Sequence, residues 1–99
     1  MTASIKLQAP SHMTLEGQLN KETVASLRRE FSGLIDKAGG AIDIDLVNVT
    51  RSTSVGLSLL LCYLRKAKSA DKTISFVNMP EPLYEMARVS GIDGVLPIG

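Results

Sequence analysis

Apolar residues recur along this chain with two periods, and the switches between them outline the elements. Ser4 to Ala9 alternates around Ile5 and Leu7, and His12 to Glu16 alternates around Met13 and Leu15. A period of two places every second side chain on one face, so these stretches predict a short antiparallel hairpin turned by Pro10 and Ser11. Gly17 is expected to end the second strand. Asn20 offers N-cap chemistry for a helix running to about Ala38. Within it Val24, Leu27, Phe31, Leu34 and Ile35 are spaced by three and four and form one apolar stripe. The Gly39–Gly40 pair predicts a left-handed C-cap.

Ala41 to Val47 returns to period two, with Ile42, Ile44 and Leu46 on one face and Asp43 and Asp45 on the other. A second helix is expected from about Ser54 to Ala70 and a strand from Thr73 to Val77. A third helix should run from Pro82 to Ser90, with a proline in its first turn and Gly91 past its end. Val95 to Ile98 predicts a last edge strand. The order is β-β-α-β-α-β-α-β. Strands separated by helices pair in parallel through right-handed crossovers, while the opening hairpin adds an antiparallel pair, so the sheet should be mixed.

Composition narrows the function classes. The 99 residues suit one domain spanning 1–99, and 44% apolar residues suffice for one core. A net charge of +1, no tryptophan and few aromatic residues argue against nucleic-acid binding. No stretch approaches the roughly 18–20 apolar residues that span a bilayer. No basic segment followed by an apolar run opens the chain. The expectation is a soluble cytoplasmic domain without direct membrane insertion, and the lone Cys62 is compatible with a reducing compartment.

The segment from Asp45 to Lys68 carries the functional signal. On a helical wheel Leu57, Leu60, Leu61 and Leu64 share one side and are expected to anchor the second helix in the core. Ser54, Ser58 and Arg65 share another side, with Val55, Leu59, Cys62 and Lys66 beyond them. Two readings stand: a helix buried on more than one side, or a docking face whose small side chains allow close approach. Ser54, at the helix start, has two readings as well. Its hydroxyl suits ordinary capping, and the free N–H groups and dipole of a helix start also suit a phosphate.

Three motifs in register resemble the STAS domain, the fold of the bacterial anti-sigma-factor antagonists. Leu15-Glu16-Gly17-Gln18-Leu19-Asn20 is similar to that family's Leu-x-Gly-x-Leu-Asp entry to the first helix. Asp45-Leu46, Val49 and then Thr53-Ser54-Val55-Gly56-Leu57 resemble its strand end and the opening of its leucine-rich helix. Val77-Asn78, Pro80 and Ser90-Gly91-Ile92 resemble its closing pattern. The resemblance implies an α/β STAS domain, a mixed sheet with helices mainly on one face. It also implies a non-enzymatic protein-interaction role without a cofactor.

Two partners follow from the resemblance. The short length, the leucine-rich helix and the ending Gly94-Val95-Leu96-Pro97 look like the STAS subunit of the Mla phospholipid-transport ABC system, which binds the ATPase subunit. In the anti-sigma antagonists, by contrast, the position matching Ser54 is phosphorylated and switches binding to the anti-sigma kinase. Here the family's preceding aspartate is Thr53 and its second serine is Val55. The candidate partner-binding residues are Thr53, Ser54, Val55, Ser58, Leu59, Cys62 and Lys66.

Other chemistry is poorly supplied. His12 on a strand and Cys62 on a helix lack a spaced carboxylate partner, so neither a metal site nor a Cys–His pair is expected. Asp43 and Asp45 share a strand face, with Arg51 near enough in sequence to pair with them. Arg65, Lys66 and Lys68 suit the carboxyl end of a helix, and could also face an acidic partner. No Gly-x-x-x-x-Gly-Lys loop is present.

Overall fold

A computed structural model describes residues 3–99; Met1 and Thr2, the first residues of the expected 1–99 domain, lie outside the described residues. The order is β1 (Ala3–Ala9), β2 (His12–Leu19), α1 (Val24–Ile35), β3 (Ala41–Ser52), α2 (Val55–Ser69), β4 (Thr73–Val77) and α3 (Glu81–Val89). The sheet order is β1-β2-β3-β4. β1 and β2 pair antiparallel, and β2–β3 and β3–β4 pair parallel, as the alternation of elements implies.

Period two sorts the sheet into two faces. Ile5, Met13, Leu15, Ile42, Ile44, Leu46, Ile74 and Phe76 are buried on the face that the helices cover. Each such side chain contributes about 1.5–3 kcal/mol on leaving water. The opposite face is polar and self-paired. Glu16 accepts a hydrogen bond from the Ser4 hydroxyl at 3.1 Å and meets Lys6 Nζ at 3.4 Å. Asp45 accepts from Val47 N–H at 2.9 Å and from the Asn78 side-chain amide at 3.1 Å, and lies 3.8 Å from His12 Nε2. Arg51, the expected partner of the aspartates, sits exposed near the far end of β3 and makes no ion pair among the described residues.

Both middle strands outrun their expected ends. β2 continues through Gly17, whose φ of 98° lets the strand bend at a register shift and not stop there. β3 continues to Ser52 because two register shifts insert extra residues opposite β2. At the first of these the Asp45 carboxylate takes the Val47 N–H, and Val47 is turned outward, 60% exposed. β4 accompanies β3 only as far as Asp45, so the rest of β3 runs toward α2 with β2 alone beside it.

The helix ends are built by specific contacts. Before α1, the Asn20 side chain accepts from the N–H groups of Glu22 and Thr23, and the Thr23 hydroxyl accepts the Asn20 N–H at 3.1 Å. This reciprocal arrangement is a capping box, so Asn20 supplies the expected chemistry ahead of a tight first turn. The far end departs from expectation. Neither Gly39 nor Gly40 is left-handed, and α1 stops at Ile35. The carbonyl of its last residue and one beyond the helix are taken by Lys72, whose Nζ donates to Ile35 O and, at 2.8 Å, to Ala38 O. Gly39 serves a close approach instead, donating its N–H to Pro10 O at 2.7 Å.

α2 and α3 both end in Schellman motifs. Gly91, at φ 76°, donates to Arg88 O, and Ile92 donates to Ala87 O. Asp71 fills the same left-handed role after α2 at φ 57°. The expected edge strand over Val95–Ile98 reduces to a single bridge between Ile98 and Phe76, with Leu96 buried beneath it.

Candidate functional site

The amino end of α2 grows out of the extended tail of β3. Thr53 N–H donates to Leu19 O at 3.0 Å, which ties the junction to the end of β2. Gly56 follows one turn in and is buried. A Cβ there would lie 2.1 Å from the Ser52 hydroxyl and 3.4 Å from Leu19, so the missing side chain lets the helix start close against both strands. The rest of the buried face is Leu57, Leu59, Leu60, Tyr63 and Ala67.

This face is rotated from the expected one. Leu57 and Leu60 are buried as expected, while Leu61 and Leu64 are half-buried and pack against the edge of the core. Leu59, expected on the docking face, is 1% exposed and belongs to the core. The cause is the company that α2 keeps. It packs between α1 and α3 as well as on the sheet, and Tyr63 is drawn toward α1, where its ring stacks on Phe31 at 4.1 Å. The Tyr63 hydroxyl donates to Leu27 O at 3.3 Å, and burial pushes its pKa well above the usual phenol value.

With Leu59 removed, the remaining candidates do reach the surface. Thr53, Ser54, Ser58 and Lys66 are exposed, and Val55 and Cys62 are half-buried. They do not all share one surface. Ser54 borders a shallow groove shared with Glu85, Met86 and Val89 of α3. Cys62 and Lys66 lie on the other flank of α2, in the groove it forms with α1. Ser58 occupies the crest between them. The structure adds Val89, 81% exposed, which stood in the sequence only as one more apolar residue near a helix end.

Ser54 does not cap α2 with its side chain. The hydroxyl that acts there is Thr53's, which accepts the Val55 N–H at 3.3 Å. Gly56 N–H donates to Thr53 O and Leu57 N–H to Ser54 O, so a tight turn engages the opening N–H groups. The donors that a phosphate would need from this helix are therefore occupied, while the Ser54 side chain stays exposed.

Elsewhere the chemistry is sparse. Among the described residues no group of three His, Cys, Asp or Glu side chains could hold a metal ion. No helix of the described chain is long and apolar enough to cross a membrane. The carboxyl of Asp45 is held below the ordinary aspartate value by the Asn78 amide first, against some desolvation, and then by Val47 N–H and His12.

A four-stranded mixed sheet under three helices, with the leading edge of the middle helix bare, defines a STAS fold. The family described as "Mlab, STAS domain" matches residues 4–97, and the chain belongs to it. No curated protein matches the chain. Among solved structures it is similar to an anti-sigma factor antagonist from Mycobacterium paratuberculosis, at 18% identity and a TM-score of 0.77 over 97% of this chain and 82% of that one. It is also similar to the anti-sigma factor antagonist SpoIIAA in its unphosphorylated form, at 16% identity and a TM-score of 0.74 over 98% and 87%. A STAS domain protein from Planctomyces limnophilus is 19% identical, with a TM-score of 0.74 over 98% and 89%. At these identities the likeness establishes the shared fold.

Proposed function

We propose that the chain is a non-enzymatic, cytoplasmic adaptor subunit that binds and regulates the ATPase of an Mla-type phospholipid-transport ABC complex. The observation that carries this reading is the exposure of Ser54 and Ser58 on the amino half of α2, in a chain that the Mlab STAS family matches over residues 4–97. Small hydroxyl side chains let a partner's backbone come close and leave donors and acceptors available to it. The half-buried Val55 and the apolar Met86 and Val89 of α3 flank them and supply area that loses water on contact.

The test is co-purification with the ABC ATPase. Ser54→Glu and Ser58→Glu are expected to abolish the complex while the melting curve of the free chain stays unchanged, because both positions are exposed. Normal binding by both variants would sink this assignment of the face.

A second reading, an anti-sigma-factor antagonist switched at Ser54, is favoured by one observation: the Ser54 hydroxyl is exposed and does not cap its own helix. A phosphoryl group there would add about −1.5 to −2 charges. With the opening N–H groups of α2 engaged, that charge would project toward a partner and bar it. Intact mass after incubation with a partner kinase decides this reading: one added phosphate, lost in Ser54→Ala, supports it, and an unmodified chain rejects it.

A further inference from the structure

The other flank of α2 carries a charge pattern that the adaptor reading does not use. α1 and α2 enclose a groove of about 340 Å3. Arg28 and Arg29 stand on the α1 side and Lys66 on the α2 side, while the buried Phe31 and Tyr63 and the small Ala25, Ser32 and Cys62 complete the lining. All three cations are exposed, and none forms an ion pair among the described residues, where the ion pairs belong to Lys6, His12 and Arg88; Arg29 Nη2 donates to the Ser26 hydroxyl at 3.4 Å, a neutral partner that leaves its charge uncompensated. Glu30, the acid of α1, is turned toward β1, where it accepts the Ile5 N–H at 3.3 Å. Asp36, just past α1, borders an adjoining hollow together with Lys66 but forms no ion pair with it. A chain of net charge +1 thus gathers three unpaired cations around one concave strip.

Like charges placed together repel, and the repulsion is relieved when an anion enters between them. Two guanidinium groups on one wall suit bidentate carboxylate pairing, and the ammonium on the other suits a single contact. We propose that this groove seats an acidic segment of a partner protein, its carboxylates on Arg28, Arg29 and Lys66 and its backbone over Ala25, Ser32 and Cys62. The concave shape favours a polypeptide over a membrane, since a flat bilayer would touch the cationic rims and leave the floor empty. The proposal rests on the adaptor reading only in naming the ATPase as the source of that segment.

Titration of the 15N-labelled chain with hexaglutamate, followed by NMR at low salt, tests the groove directly. The expected result is saturable shifts confined to residues 25–32 and 62–66, weakened at least tenfold in Arg28→Glu/Arg29→Glu, a double variant that melts like the parent chain. Shifts spread equally over Lys6, Lys21 and Lys37 would overturn the proposal. So would inorganic phosphate, or phosphatidylglycerol vesicles, binding the same residues as tightly as the peptide. In the assembled complex, the double variant is expected to bind the ATPase at least tenfold more weakly, and unchanged affinity would remove the ATPase as the source. If the unaltered chain does not bind the ATPase, the adaptor reading fails alone and the peptide titration still decides the groove.

Discussion

Replacing Lys72 by methionine removes one ammonium and keeps the length of the stem, which isolates how α1 is terminated. Lys72 Nζ donates to Ile35 O and Ala38 O, the carbonyls that no C-capping glycine serves. Hydrogen bonds from a charged donor contribute about 1.5–3 kcal/mol each, and a cation at a helix carboxyl end adds about 0.3–1 kcal/mol. The sum overstates the loss. Ile35 O also accepts the Ala38 N–H at 3.3 Å, and Ala38 is only half-buried, so water can take over part of the role. The expected destabilisation of Lys72→Met is therefore about 2 kcal/mol, which lowers Tm by roughly 8–16 °C in a domain of this size. Urea denaturation at neutral pH measures it, with the exposed Lys21→Met as a control expected to move by less than about 0.5 kcal/mol. A loss below about 0.5 kcal/mol for Lys72→Met would show that α1 needs no lysine cap.

Three further outcomes follow from the same geometry. Asp71→Gly should stabilise the chain by about 0.5–1 kcal/mol, because glycine takes φ 57° without strain and the substitution removes an anion from a helix carboxyl end; a thermal melt checks it. Leu59→Ala should cost about 2–5 kcal/mol and Ser58→Ala less than about 0.5 kcal/mol, a contrast between adjacent residues that denaturant melts resolve. The Asp45 carboxyl has its pKa lowered below the ordinary 3.8 by the fold, so it binds its proton less readily folded than unfolded. Its contribution is present above about pH 4 and is lost as the pH falls through the lowered value, so Asp45→Asn should flatten the acid limb of the stability–pH curve.

The elements were legible wherever one physical signal dominated. Period two marked β1 and the first half of β3, and the spacing of Leu27, Phe31 and Ile35 marked the buried stripe of α1. The αL glycine after α3 was visible because Gly91 follows directly on an amphipathic run. The ends of β2 and β3 were not legible, since a bulge lets a strand pass a residue that would otherwise stop it. The cap of α1 was hidden for another reason. Lys72 lies 34 and 37 residues from the carbonyls it serves, and no local pattern encodes a contact of that span.

The rotation of α2 bears most directly on function. A wheel drawn from leucines alone sets the buried face by the largest apolar residues, but α2 is wedged among the sheet, α1 and α3, so its buried arc is wide and admits Gly56 and Ala67 as readily as leucine. Leu59 passes into the core by this widening, and Leu61 moves toward the surface. Ser54, Ser58 and Arg65 lie opposite that arc and stay exposed under either orientation. The exposed strip is thus fixed by helical geometry together with the side chains that cannot be buried without partners, which is a stronger constraint than where the apolar ones settle. It also divides the neighbouring surface in two: an apolar groove beside Ser54 toward α3, and a cationic groove beside Lys66 toward α1. The adaptor proposal and the acidic-segment proposal thus make separate demands on a partner, apolar area on one flank of Ser58 and carboxylates on the other.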